Sequence, residues 1–233
     1  MHSENRPYPV ETARRAAAAA GLAVPALAPR IRRLGLVEYR PTYDAMRQFT
    51  SARGEDTPDE IWLLQHPPVY TAGLACRARH LPRGSAIALE HIDRGGQITY
   101  HGPGQVVMYT LLDLARRRLK IRDYVRLLEQ AVIDTLAHYA VAAQRKDGAP
   151  GIYVDGAKVA ALGLRVRSRG CYHGVALNVD MDLAPFLAID PCGYPGLAVT
   201  QTRALGVRAD AIELGERLAA ELARLLAQHE RGR

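Results

Sequence analysis

The spacing of apolar residues changes several times along the chain, and each change marks an element. Ile121, Val125, Leu128, Val132, Leu136 and Tyr139 recur every three or four positions, which predicts an amphipathic helix over residues 121–140. Ile212, Leu218, Leu222, Leu225 and Leu226 follow a helical spacing and predict a second helix, Ala209–Gln228, that closes the chain. Shorter apolar runs predict strands at Ile31–Tyr39, Glu60–Gln65, Ile87–His91 and Val106–Leu112, the last of them buried on both faces. Pro41 opens a helix through Tyr43–Arg53, and residues 54–58 form the connecting loop. Beyond His66-Pro67-Pro68 the chain reads as loop as far as Ile87. Ile152–Val154 and Val159–Val166 flank Asp155-Gly156, a dipeptide suited to a tight hairpin turn, and Val175–Val179 continues the sheet. No internal repeat of roughly 20–50 residues is visible, and the elements alternate without a regular βαβ rhythm. The expected fold class is α/β in the broad sense: an α+β mixed sheet with packed helices.

Length and composition narrow the class. The chain has 233 residues, 48% apolar and 24% charged, the profile of an ordinary globular protein. A chain of this size buries roughly 70% of its unfolded surface and needs no disulfide or structural metal. One domain is expected over residues 31–233, after a poorly ordered extension at 1–30. Arg14-Arg15 and the alanines 16–20 imitate a targeting signal only weakly, since Pro25 and the acidic Glu4 and Glu11 interrupt it. No run reaches the ~18 apolar residues of a membrane span. Cys76, Cys171 and Cys192 are odd in number and widely spaced, which disfavours a secreted disulfide framework and suits the cytoplasm. The net charge is +7, but residues 1–33 hold six arginines against two glutamates, a balance of +4. The +3 left for the other 200 residues is too sparse for a nucleic-acid face and better suited to steering an acidic protein partner.

Three segments carry candidate chemistry. Arg94–Gln105, R-G-G-Q-I-T-Y-H-G-P-G-Q, packs four glycines between two strands, so its backbone can approach a ligand closely. It lacks the G-x-x-x-x-G-K-[ST] of a phosphate loop, and the bland reading is a turn, which would not need Arg94, Tyr100 or His101. Asp190–Gly196 holds Cys192 between proline and glycine, on a rigid turn near the surface. A thiol there is either incidental or a nucleophile, and a nucleophile needs a cation or base beside it. Lys158 enters an otherwise apolar strand, where it either snorkels outward or holds its ammonium for a purpose. Facing Cys192, it would favour the thiolate and could transfer protons. The His and Cys spacings match no metal-ligand pattern.

In these three segments the sequence resembles the lipoyl(octanoyl) transferases. Arg94–Gln105 is similar to that family's signature loop, Lys158 sits in a K-x-x-x-L-G strand, and P-C-G-Y-x-G at 191–196 resembles its catalytic turn. H-G-V-A-L-N-V at 173–179 adds to the match, which runs from about Leu34 to Ala204. The resemblance implies a single domain with the fold of biotin and lipoate protein ligases. It implies transfer of an octanoyl group from octanoyl-acyl carrier protein to a lysine ε-amine. The acceptors implied are lipoyl domains of 2-oxoacid dehydrogenase complexes and the glycine-cleavage carrier protein. Cys192 would be the acyl-thioester nucleophile, and Lys158 would lower its pKa and relay protons. Arg94, Gly95, Gly96, Gln97, Ile98, Thr99, Tyr100 and His101 would line the acyl site with Ala161, Leu162, Gly163, Gly174, Val175 and Ala176. Leu162, Leu164, Val175, Leu177 and Tyr100 are candidates for the tunnel wall, although core packing explains the aliphatic ones equally well. Ala161 departs from the family, where serine is frequent, and the N-terminal extension has no counterpart in its core.

No cofactor or metal is expected, because thioester to thioester is roughly isoenergetic and thioester to amide is downhill. A monomer that meets its partners transiently is expected. The rival enzyme is an ATP-dependent lipoate or biotin protein ligase, which has no use for Cys192. A non-catalytic acyl- or carrier-binding module would not need Cys192 and Lys158 together.

Overall fold

The structure, a computed structural model, describes residues 28–82, 84–167, 170–190 and 196–232. Seven strands form the main sheet in the order β1-β2-β6-β10-β9-β8-β7: β1 (Arg30–Leu36), β2 (Glu60–Gln65), β6 (Gln105–Leu111), β10 (Gly170–Asn178), β9 (Ala157–Arg167), β8 (Ile152–Val154) and β7 (Gln144–Arg145). Only β1 and β2 run parallel; the other neighbours are antiparallel. A second sheet has three strands in the order β4-β3-β5: β4 (Ala88–His91), β3 (Val69–Ala72) and β5 (Ile98–His101). The helices are α1 (Tyr39–Ser51), α2 (Ile121–Ala137) and α3 (Ala211–Arg231). This is the mixed α+β architecture expected. Among the described residues no helix is long and apolar enough to cross a membrane.

The two faces of the main sheet have different tasks. Val106 and Met108 of β6 pack with α2 and α3, whose Leu128, Val132, Leu218 and Leu222 fill one core. Val107, Tyr109 and Leu111 of the same strand turn to the other face and pack with Tyr39, Tyr43 and Met46 of α1. Every residue of β6 is therefore buried, as its unbroken apolar run requires. The small sheet has its own core around Tyr70, Ile98, Tyr100 and Phe186.

Several boundaries differ from the periodicity. Helix α1 begins at Tyr39, which places Pro41 inside the first turn, where its missing N–H costs nothing. Strand β1 accordingly ends at Leu36. Strands β3 and β5 were hidden in stretches that read as loop, because each has only four residues, with glycine or proline close on either side. Strand β10 starts at Gly170, well before Val175. The hairpin turn matches its sequence signal: Asp155 and Gly156 both take positive φ, 48° and 82°, as a type I′ turn demands.

One buried carboxylate fastens the sheet to its surroundings. Asp59, just before β2, accepts from Arg53 Nη1 at 2.8 Å, Arg116 Nη2 at 2.6 Å and Arg117 Nε at 2.6 Å. The backbone N–H of Asp113 adds a fourth bond at 2.9 Å. Arg117 also reaches Glu230 near the end of α3 at 2.5 Å, and Arg53 donates to Leu111 O at 2.6 Å. Burial alone would raise the Asp59 pKa, but the charges of Arg117, Arg116 and Arg53 and the bond from Asp113 outweigh it and hold the carboxyl below its ordinary value.

Removing Asp59 leaves buried guanidinium groups without their shared counter-ion, so Asp59→Ala should cost about 3–5 kcal/mol in urea unfolding. The pH dependence has a defined sign. Because the folded carboxyl binds its proton less readily than the unfolded one, its contribution is complete above about pH 4 and fades as pH falls towards the folded value. Urea midpoints of the wild type should fall through that range more steeply than those of Asp59→Asn.

Candidate active site

The pocket lies between the α1 face of the main sheet and the small sheet. Its lining includes Ala161–Gly163 of β9, Gly174–Ala176 of β10, Val107 and Tyr109 of β6, Ile98, Thr99 and His101 of β5, and Tyr39 of α1, with His173 beside them. Arg94, Gly96 and Gln97 close it from the glycine-rich loop, and the space outside atoms, mouth included, is about 540 Å³. Twelve of the fourteen residues expected to bind substrate thus meet at one cavity. Gly95 does not line it; its N–H donates to Leu164 O at 2.9 Å and clasps the loop to β9. Tyr100 also lies outside: alternation along β5 sends Thr99 and His101 towards the main sheet and Tyr100 towards Tyr70 and Phe186, at ring separations of 5.6 and 5.5 Å. Leu164 and Leu177, considered as wall residues, pack in the helical core.

Small residues keep the site open. A Cβ on Gly174 would lie 2.2 Å from Met108 O, and one on Gly163 would lie 2.8 Å from Arg94 Cδ, so neither position admits a larger side chain. Arg94 is buried, and donates to Thr71 O at 2.7 Å, Thr71 Oγ1 at 3.1 Å and its neighbour's Gly95 O at 2.9 Å. Its guanidinium therefore holds the loop's shape while its stem walls the pocket.

Lys158 is reached through a β-bulge. Across β8, Tyr153 pairs with Lys158 and Ile152 with Ala160, so Val159 is an extra residue on β9. Strict alternation would put Lys158 on the same side as Ala160; the bulge turns it towards Ala161 instead. It is 3% exposed, donates from Nζ to Pro150 O at 2.9 Å, and holds its ammonium 5.2 Å from the centre of the Tyr153 ring. Its recess is lined by Thr99, Gln105, Ala160, Ala161, Asn178, Phe186 and Val199. Thr99 and Ala161 also line the main pocket, so the two spaces adjoin.

Cys192 lies outside the described residues, as does the rest of 191–195, but the chain on either side is placed. Asp190 and Gly196 border a groove whose other walls include Phe186 and Val199, residues shared with the Lys158 recess. The backbone of Lys158 donates to Ala198 O at 2.8 Å and accepts from Thr200 N at 2.9 Å.

Sequence reasoning named His101 but missed the polar layer it shares with His66, Tyr109 and Asn178. His66 donates from Nδ1 to Val37 O at 2.7 Å, leaving Nε2 to accept from the Tyr109 hydroxyl at 2.8 Å. His101 donates from Nδ1 to Gln105 Oε1 at 2.7 Å, and its Nε2 accepts from Thr71 at 3.4 Å. Burial lowers both imidazoles, His66 to about 4 and His101 to about 3, so both are neutral at pH 7. Gln105 passes the chain on to Asn178 Oδ1 at 2.9 Å, and Asn178 donates to Thr200 O at 2.9 Å. A polar ladder thus links the pocket to the segment beside Lys158. Tyr39 and Tyr109 gave no signal in sequence because an aromatic residue in a buried helix or strand reads as core.

The Lipoyl protein ligase A/B catalytic domain family matches residues 39–223. An octanoyltransferase from Azoarcus sp. (strain BH72) is 62% identical over 209 residues, 89% of this chain and 91% of that protein. One from Aromatoleum aromaticum (strain DSM 19018 / LMG 30748 / EbN1) is 62% identical over 84% of this chain and 85% of its own. Among solved structures, lipoate-protein ligase A bound with ATP superposes with a TM-score of 0.72 at 16% identity, covering 86% of each chain, a likeness of fold. With its glycine-rich loop, buried lysine and small-residue pocket in place, the chain belongs to the lipoyl protein ligase A/B catalytic domain family, and within it to the octanoyltransferases, which are acyltransferases.

Proposed function

We propose that the protein takes an octanoyl group from octanoyl-acyl carrier protein onto Cys192 and passes it to the ε-amine of a lysine on a lipoyl carrier domain. The observation that carries this reading is the junction at Thr99 and Ala161 between the apolar pocket and the recess of a buried lysine. The acyl chain lies over Ala161, Gly163 and Ala176, with its carbonyl at the junction. The Cys192 thiolate attacks that carbonyl, a C–S bond forms, and the carrier's thiolate leaves and takes up a proton. The acceptor amine then attacks the enzyme thioester, the amide forms, and Cys192 recovers its thiol. Lys158, in its recess, favours the thiolate and shuttles the proton. Two thioesters exchange at nearly constant free energy and the final amide is downhill, so neither step requires ATP. Lipoyl domains of 2-oxoacid dehydrogenase complexes and the glycine-cleavage carrier protein are the acceptors on this reading, and the protein acts as a cytoplasmic monomer.

Intact mass after mixing the protein with octanoyl-carrier protein, without ATP, tests the scheme. The wild type should gain one octanoyl group labile to hydroxylamine, and Cys192→Ala should gain none. Octanoate loading that occurs only with ATP and survives in Cys192→Ala would replace the transferase with a ligase. Lys158→Met should lower the rate of acylation by about 10²–10⁴-fold, the range of a lost proton-transfer group, with fold and melting temperature retained. Ala161→Leu fills the junction and should abolish acylation. Binding to carrier protein should weaken as salt is raised, as expected of a positively biased surface meeting an acidic one.

A further inference from the structure

The far end of the pocket is built on a strained residue. His173 lies within β10 with φ of +65°, a conformation a non-glycine residue rarely takes in a strand. Its neighbours at the same parity, Cys171, Val175 and Leu177, point into the helical core. The left-handed turn takes His173 out of that row and into the aromatic layer, stacked on Tyr43 at 5.7 Å and edge-on to Tyr109 at 5.9 Å. It is 2% exposed, and its Nε2 makes no hydrogen bond among the described residues, with Asp93 Oδ1 3.9 Å away. Asp93 is held in turn by the hydroxyls of Tyr43 at 2.9 Å and Tyr172 at 2.5 Å. A buried, strained and incompletely bonded side chain is costly, and core packing alone would be served better by an aliphatic residue.

The position of this residue gives the cost a purpose. In the β9–β10 register, Ala161 faces Ala176, Leu162 faces Val175, Gly163 faces Gly174 and Leu164 faces His173. From the Ala161 rung, where the pocket meets the Lys158 recess, to the His173 rung is three residues, about 10 Å. An extended octanoyl chain has seven carbon–carbon bonds of ~1.5 Å in staggered geometry and spans roughly 9 Å. At that distance His173 is in the cavity lining with Tyr39 and Tyr109, while its rung partner Leu164 is not, its carbonyl taken by the Gly95 N–H.

We propose that His173 is the length-determining residue of the acyl pocket, an end stop that halts the chain at eight carbons. The inference rests on the reading above, in which the acyl carbonyl sits at the junction. A longer chain must displace a side chain packed against the rings of Tyr43 and Tyr109, and a shorter one leaves the last rungs unfilled.

The test measures kcat/KM of the full-length protein with hexanoyl-, octanoyl-, decanoyl- and dodecanoyl-carrier protein for the wild type, His173→Gly and His173→Asn. Glycine and asparagine both accept the left-handed φ, so the backbone is kept while the imidazole is removed or shortened. The ratio of decanoyl to octanoyl kcat/KM should rise about tenfold or more in His173→Gly, and by less in His173→Asn. Ala161→Leu, measured with the same donors, separates the two levels of the argument. Loss of transfer at every length in Ala161→Leu, with the ratio unchanged in both His173 variants at near wild-type melting temperature, overturns the end stop and leaves the pocket reading standing. Wild-type octanoyl transfer in Ala161→Leu places the acyl chain elsewhere and overturns both.

Discussion

Side chains of a β-strand alternate between faces, so a strand committed to a core on one side can serve a pocket on the other only at every second residue. The hairpin of β9 and β10 is committed in this way, with Leu162, Leu164, Val175 and Leu177 fixed against α2 and α3. The site depends on breaking that alternation twice, once at each end of the pocket. The bulge at Val159 brings Lys158 round to one end, and the left-handed φ of His173 brings an imidazole round to the other. Between them the strands keep their rhythm, and the floor is left to glycine and alanine. Two backbone irregularities thus define a cavity without disturbing the core beneath it.

Such irregularities persist only where the surroundings over-determine them. At the Lys158 end, the extra strand-like segment around Ala198–Thr200 hydrogen-bonds to both backbone groups of Lys158, and Gly151 leaves space for the lysine stem. At the other end, the imidazole is packed between the rings of Tyr43 and Tyr109, and the Tyr43 and Tyr172 hydroxyls fix Asp93 beside it. The three arginines on Asp59 tie the end of α1, the start of β2 and the turn after β6 to α3, beside the first residues of β10, where Cys171 N donates to Leu112 O at 2.9 Å.

Sequence legibility followed the range of the forces involved. Helices α2 and α3 and the two-sided burial of β6 were visible because their periodicity is local, and the β8–β9 turn because Asp155-Gly156 selects one geometry. Strands β3 and β5 were not, since the four residues between Pro68 and Gly73, or the five between Gly96 and Gly102, carry too little pattern and their pairing partners are distant in sequence. The loop, Lys158 and the two stretches 161–163 and 174–176 could be named from motif resemblance; the cavity gathers both stretches and all of 94–101 but Gly95 and Tyr100, with Lys158 in the adjoining recess. Alternation, however, assigns Lys158 and His173 to the helical face; only the bulge and the positive φ, neither of which periodicity encodes, move them across. Tyr39 and Tyr109 were concealed by being aromatic in apolar elements, where core packing is the default explanation.

The hydrogen bonding of the histidine layer bears on the lifetime of an acylated enzyme. In the proposed scheme a thioester waits for its acceptor exposed to water, and a base with a free lone pair near the carbonyl would speed its hydrolysis. His101, in the pocket lining, and His66, which bonds the lining residue Tyr109 from behind, have theirs engaged by the hydroxyls of Thr71 and Tyr109 while their N–H groups are spent on Gln105 and Val37 O. His173, whose Nε2 is unengaged, stands about 10 Å from the junction, three rungs away along β9 and β10. On the proposed scheme, His66 and His101 therefore support the pocket without adding an imidazole base for adventitious water, and proton transfer is left to the Lys158 end.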